Sequence, residues 1–146
     1  MKVLGMTSKQ QQLVRETFPS LHEVAEPLVQ LFYGRLFQIA PSVRSLFKSE
    51  IDVQARKFSD MLEALVKGLE DFEQQLPALR ALGQKHVAYG VVPSHYDVVA
   101  TAFLWALDHM LYPDFSPEVR GAWQALLDEV NAAMKAGAAE LGSGTA

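Results

Sequence analysis

The chain has 146 residues, with 13 Lys+Arg against 17 Asp+Glu, a formal net charge of −4 and a sequence pI near 5.5. That length suits one domain with a full hydrophobic core, and the acidic balance argues against a nucleic-acid partner, which needs a clustered basic excess. With no cysteines there is no disulfide frame, thiolate metal site or cysteine nucleophile, which fits a reducing, cytoplasmic setting.

The opening "MKVLGMTSKQQQ" lacks the apolar stretch of a secretory signal. The first element is predicted in "TSKQQQLVRETFPSL", with Thr7 or Ser8 as N-cap and Leu13, Val14 and Phe18 at helical spacing. A second helix, 23–39, carries Val24, Leu28, Leu31, Phe32, Leu36 and Ile39 on one wide face. Pro27 falls in its first turn, where a missing N–H is tolerated. Pro41 breaks the path, and "PSVRSLF" reads as a short helical turn. After the polar "KSEID", a long helix over 52–70 has the stripe Phe58, Met61, Leu62, Leu65 and Leu69, with Gln54 four residues before Phe58.

The pattern lapses at 71–75, and a short helix resumes with Leu76, Pro77, Leu79, Leu82 and His86. Gly90 and Pro93 in "YGVVP" stop it, and Ser94 is the predicted cap of a helix over 94–111 that buries Val98, Val99, Ala102, Phe103, Ala106 and Met110. Its apolar run "VVATAFLWAL" (98–107) falls well short of the roughly 20 residues that span a bilayer. "YPDFSP" is a loop, the last helix covers 117–140, and "GSGTA" is a frayed tail. The fold class is therefore all-α, seven or eight helices of unequal length, two of them short and set at proline-marked corners. Such irregular sets pack at steep angles and leave room for an internal pocket.

Among four histidines, His22 and His109 sit near helix ends and read as structural, while His95 opens its helix and faces solvent. His86 differs, because its spacing puts it on the stripe of Leu79 and Leu82. An isolated histidine on such a stripe is ordinarily a hydrogen-bonded core residue. A ligand histidine needs its other ring nitrogen satisfied, and the Leu82 carbonyl one turn back is the natural acceptor. It also needs an apolar cavity, which Phe47, Phe58, Val91, Val99 and Phe103 can supply, facing a few polar groups. Tyr33, inside the apolar "LFYGRLF", and Gln54 are those groups. There is no phosphate loop, HExxH helix or GxSxG elbow, and the pairs Glu70/Asp71 and Asp128/Glu129 read as solvated faces.

Taken in order, "FYGRLF", "PSVRSLF", "VQARKF", "LPALRALGQKH", "VVPSHYDVV" and Trp123 resemble a globin over residues 7–140, specifically the single-domain haemoglobins of bacteria and the globin half of flavohaemoglobins. On that reading residues 1–146 are one globin domain with a flexible tail at 141–146. The resemblance implies haem b (iron protoporphyrin IX), with His86 as proximal iron ligand and Phe47 against the porphyrin. Tyr33 and Gln54 would be the distal donors to dioxygen, with Gln54 where many animal globins carry a distal histidine. Glutamine is a weak ligand, so the ferrous site should be open to dioxygen, carbon monoxide and nitric oxide. Lys57, one turn past Gln54, has the spacing to reach a haem propionate.

The chain departs from flavohaemoglobins in three ways. They bond the proximal histidine to a glutamate of the last helix supported by a tyrosine; Tyr96 keeps the second partner, but the glutamate position falls on Ala138. Glu140 lies two residues on, about 200° around the helix. Phe58 replaces a smaller aliphatic residue and is expected to crowd the distal cavity. The third departure is that the chain stops where a flavin reductase domain would start, so turnover would need a separate reductase. The leading expectation is reversible dioxygen binding as a carrier or scavenger. The alternative is nitric oxide dioxygenation, and a gas or redox sensor comes third.

Overall fold

In the computed structural model the described residues are 5–47 and 50–144. They form six α-helices: α1 (Ser8–Glu23), α2 (Ala25–Ile39), α3 (Ile51–Lys67), α4 (Phe72–Ala88), α5 (Pro93–Leu111) and α6 (Pro117–Gly144). Two 3-10 turns, Pro41–Leu46 and Leu69–Asp71, lie before α3 and before α4. Among the described residues no helix is long and apolar enough to cross a membrane.

The sequence starts α1 unambiguously. Thr7 Oγ1 accepts the Gln10 N–H at 3.1 Å and Gln10 Oε1 accepts the Thr7 N–H at 3.0 Å, a reciprocal cap that satisfies two otherwise free donors. Several boundaries differ from expectation. The fourth helix begins at Phe72 rather than Leu76, because Phe72 and Leu69 both turn into the core and Gln75 Nε2 donates to the Gly68 carbonyl at 3.0 Å. Pro77 is tolerated inside this helix, since its missing N–H forfeits one bond near the N-terminus. The third helix ends at Lys67, leaving Leu69 in the short turn, and Ile39 is exposed at the last residue of its helix.

Ser94 is not the cap of α5: Pro93 already begins the helix, and His95 Nδ1 accepts the Val92 N–H at 3.1 Å. His95 is thus half-buried in a capping role instead of facing solvent. The last helix runs through Gly144 instead of stopping near 140, since no proline interrupts its ladder; residues 145–146 lie outside the described residues, as do Lys48 and Ser49 of the polar connection. Glu129 is not a solvated face, because its Oε1 accepts the Gly5 N–H at 2.7 Å and ties the chain's start to α6.

The core runs along α6. Trp123 is fully buried, donates from Nε1 to Thr17 Oγ1 at 2.9 Å and meets the Phe103 ring edge-on at 6.3 Å, joining α1, α5 and α6. The closest pairings are α4 with α6, α2 with α5 and α1 with α6. Neither α3 with α4 nor α4 with α5 is among the packed pairs, although each pair is consecutive in the chain.

The α4–α6 crossing is a backbone contact. A Cβ on Gly83 would strike the Met134 carbonyl, and one on Gly137 would strike the Arg80 carbonyl. Each glycine therefore seats the other helix's backbone, and neither carbonyl is the end of a flexible chain that could swing aside. Gly83→Ala or Gly137→Ala should each destabilise the fold by about 2–3 kcal/mol, read as a lower urea midpoint with an unchanged slope.

Candidate functional site

His86 lies near the C-terminal end of α4, half-buried. Its Nδ1 is 2.8 Å from the Leu82 carbonyl oxygen. A carbonyl only accepts, so Nδ1 carries the proton and Nε2 keeps its lone pair. The corner beyond is fixed by the His86 carbonyl, which accepts N–H bonds from Tyr89 at 3.1 Å and Val91 at 3.0 Å. Gly90 supplies the left-handed turn at φ +93°, a conformation that side-chain-bearing residues rarely adopt. Burial lowers the His86 pKa from 6.5, opposed by the hydrogen bond to Leu82. The imidazole is thus kept neutral.

Tyr96 of α5 stacks beside this ring at 6.5 Å between centroids, and Tyr89 is tilted against it at 5.6 Å. The Tyr96 hydroxyl is buried and has no hydrogen-bond partner among the described residues. Ala138 is half-buried on α6 near Tyr96, across a hollow of about 270 Å³. Glu140 turns away from that hollow: its Oε2 accepts from Gln84 Nε2 at 3.1 Å on the exposed side of the α4–α6 crossing.

The other cluster is aromatic. Tyr33 is 5% exposed, with Phe47 edge-on at 5.4 Å, Phe37 stacked at 5.8 Å and Phe32 tilted at 4.9 Å. Its hydroxyl makes no hydrogen bond among the described residues, and burial pushes its pKa up to about 12. It is a neutral donor without an acceptor. Phe58 is sandwiched between Phe32 at 5.0 Å and Phe103 at 5.3 Å, so its ring is held by the core.

Two neighbourhoods are thus assembled: Leu82 and Tyr96 around the His86 imidazole, and Phe37 and Phe47 around the Tyr33 phenol, linked through Phe32 to Phe58 and Phe103. Val91 and Val99 are half-buried, as a cleft wall should be. Gln54 is half-buried and Lys57 exposed, and neither makes a side-chain hydrogen bond or ion pair among the described residues. Sequence reasoning placed Phe32 only on a core face, and passed over Phe37 and the close approach of Gly83 to Met134 and of Gly137 to Arg80. The signal for the glycines was their place in helix interiors, where glycine is costly without a packing reason. Among the described residues no group of three or more His, Asp or Glu side chains could hold a bare metal ion.

Comparison with known proteins agrees with this geometry. The globin family model matches residues 30–134. An anaerobic nitrite reductase of Oryza sativa subsp. indica is 30% identical over 138 residues, covering 90% of this chain and 95% of that protein. The flavohemoprotein of Pseudomonas putida is 31% identical over 129 residues, 82% of this chain but only 32% of the relative, so the chain spans about a third of that protein's length. Among solved structures, a bacterial globin from Campylobacter jejuni superposes with a TM-score of 0.82 at 24% identity, covering 94% of this chain and 99% of that one. An engineered carbene transferase from Rhodothermus marinus superposes with a TM-score of 0.85 at 24% identity, covering 94% and 96%. The chain belongs to the globin family.

The sign of the His86 shift sets an acid limit. Its folded pKa is below the unfolded 6.5, so the stability it contributes is whole above 6.5 and is lost as pH falls from there through the folded value. In haem-free protein, NMR titration should place the His86 midpoint below 6.5, and absorbance titration should leave one tyrosine un-ionised until about pH 12.

Proposed function

We propose that this globin holds a haem b in the cleft between α3, α4 and α5 and reversibly binds dioxygen, as a carrier or scavenger in the cytoplasm. The observation that carries the reading is the His86 imidazole, neutral, with Nδ1 tied to Leu82 and the Nε2 lone pair left for a metal. The residues present fit the group in two further respects. Half-buried Phe47, Leu82, Val91 and Val99 provide apolar walls that water only partly reaches. The Tyr33 side chain is 5% exposed, and its hydroxyl makes no hydrogen bond among the described residues.

In this reading His86 would ligate the haem iron, and Phe47, Phe58, Leu82, Val91, Val99 and Phe103 would line the haem pocket. Lys57, exposed and without an ion-pair partner among the described residues, is assigned to a propionate. A bound ferrous haem would supply the chemistry of reversible diatomic gas binding. What the chain would add is polarity: Tyr33 would donate to the partial negative charge on dioxygen, and Gln54 is assigned as a second donor. Each bond contributes about 1 kcal/mol or somewhat more, so the pair changes affinity by roughly ten- to hundred-fold. Carbon monoxide, with less charge on its oxygen, gains less. Because the Tyr33 pKa lies near 12, it remains a donor across the physiological range.

A second reading uses the same pocket. Nitric oxide and dioxygen combine to nitrate with one electron from a separate reductase; relatives named flavohemoproteins extend well beyond the part this chain matches. With Ala138 near Tyr96 and Glu140 bonded to Gln84, no carboxylate strengthens the donor character of His86, which favours the binding role.

Two measurements decide the matter. Purified or reconstituted protein should show a Soret band that His86→Ala loses or weakens severely; haem held as tightly by the variant would end the proposal. Tyr33→Phe should raise the dioxygen dissociation rate about five- to tenfold and that of carbon monoxide far less. Sustained nitric oxide consumption with an added reductase would move the assignment to the second reading.

A further inference from the structure

A buried tyrosine is ordinarily aimed by the hydrogen bond its hydroxyl makes. Tyr33 makes none among the described residues, so the direction of its ring is set by the three rings beside it. Phe32 is committed elsewhere, stacked on Phe58 at 5.0 Å and edge-on to Phe103 at 5.7 Å in the core. Phe37 is not. Its ring partners among the described residues are Tyr33, stacked at 5.8 Å with 22° between the planes, and Phe47, edge-on at 5.5 Å.

Phe37 follows Tyr33 by four residues on α2, the spacing at which helix side chains meet. It is half-buried, and the Arg44 guanidinium lies over its ring at 5.1 Å. Arg44 is exposed, and among the described residues that ring is the one partner its guanidinium has. The short turn Pro41–Leu46 ties the arrangement together. The Phe47 N–H donates to the Arg44 carbonyl at 3.2 Å, and the Phe47 ring meets both Phe37 and Tyr33 edge-on. Tyr33, Phe37 and Phe47 thus form a closed triangle of rings with a cation over one corner.

We propose that Phe37, held from the surface by Arg44, is the positioning residue of Tyr33: the stack fixes the phenol ring, and with it the direction in which the hydroxyl can donate to a ligand. Hydrogen bonds weaken steeply with misalignment, so a donor without an anchor of its own depends on whatever holds its ring. The consequence for gas selectivity rests on the haem reading above; the hold on the Tyr33 ring does not.

The hold is tested by NMR of haem-free protein carrying isotopically labelled tyrosine, with the Tyr33 signals identified by their loss in Tyr33→Phe. In wild type the two edges of the Tyr33 ring should give separate signals, the mark of a slowly flipping ring, and in Phe37→Leu they should merge. Phe37→Tyr, which keeps a ring to stack, should restore the separation, and Arg44→Gln should speed flipping by less than Phe37→Leu does. In haem-loaded protein Phe37→Leu should raise the dioxygen dissociation rate about threefold, the loss of one ring pair, with that of carbon monoxide little changed. Added to Tyr33→Phe it should cause no further rise, since no hydroxyl is left to aim. A ring that flips equally fast in wild type and Phe37→Leu, or a rise shared by both gases and repeated on top of Tyr33→Phe, overturns the positioning role. Arg44→Gln matching wild type in both measurements overturns the part given to Arg44. Protein that takes up no haem, with the ring signals behaving as expected, refutes the haem assignment and leaves the hold of Phe37 on Tyr33 standing.

Discussion

A 2.8 Å hydrogen bond between His86 Nδ1 and the Leu82 carbonyl decides which ring nitrogen is free, and most of what this chain can do follows from that. It fixes the tautomer, orients the ring along its own helix and leaves Nε2 as a neutral donor atom. Burial keeps the proton off that nitrogen. Had the ring been exposed, a proton would compete for the same lone pair below neutral pH.

Holding that ring in place is the task of the scaffold beneath it. Gly83, three residues before His86, lets the α4 backbone rest on the Met134 carbonyl, and Gly137 returns the contact against Arg80. The histidine is therefore referenced to α6, the helix that also carries Trp123 and the centre of the core. Gly90 and the bonded His86 carbonyl close the corner above. Rigid support on one side contrasts with the missing α3–α4 and α4–α5 packing on the other.

Among the described residues the Tyr96 hydroxyl is the one buried side-chain polar atom without a hydrogen-bond partner, and burial raises the pKa of both Tyr96 and Tyr33. Natural interiors seldom leave such an atom unmatched. Tyr33 is set among the rings of Phe32, Phe37 and Phe47. For Tyr96 the neighbouring surface is aliphatic, and Ala138 leaves volume instead of charge.

Much of this was legible in residue order. Helical periodicity, the caps at Thr7 and Gly90 and the proline corners are local effects, expressed within one or two turns, so the all-α class and most boundaries follow from them. The His86–Leu82 bond is local too, spanning one turn. Boundaries failed where a distant contact outweighed local propensity: Phe72 starts α4 because the core takes its ring, and His95 displaces Ser94 as the capping side chain. The pairing of Phe58 with Phe32 and Phe103, the backbone seat at Gly83 and Gly137, and the turn of Glu140 toward Gln84 join residues far apart in the chain. Spacing along a helix gives a residue's direction but not what stands opposite it, so tertiary packing alone decided which polar groups were left without partners.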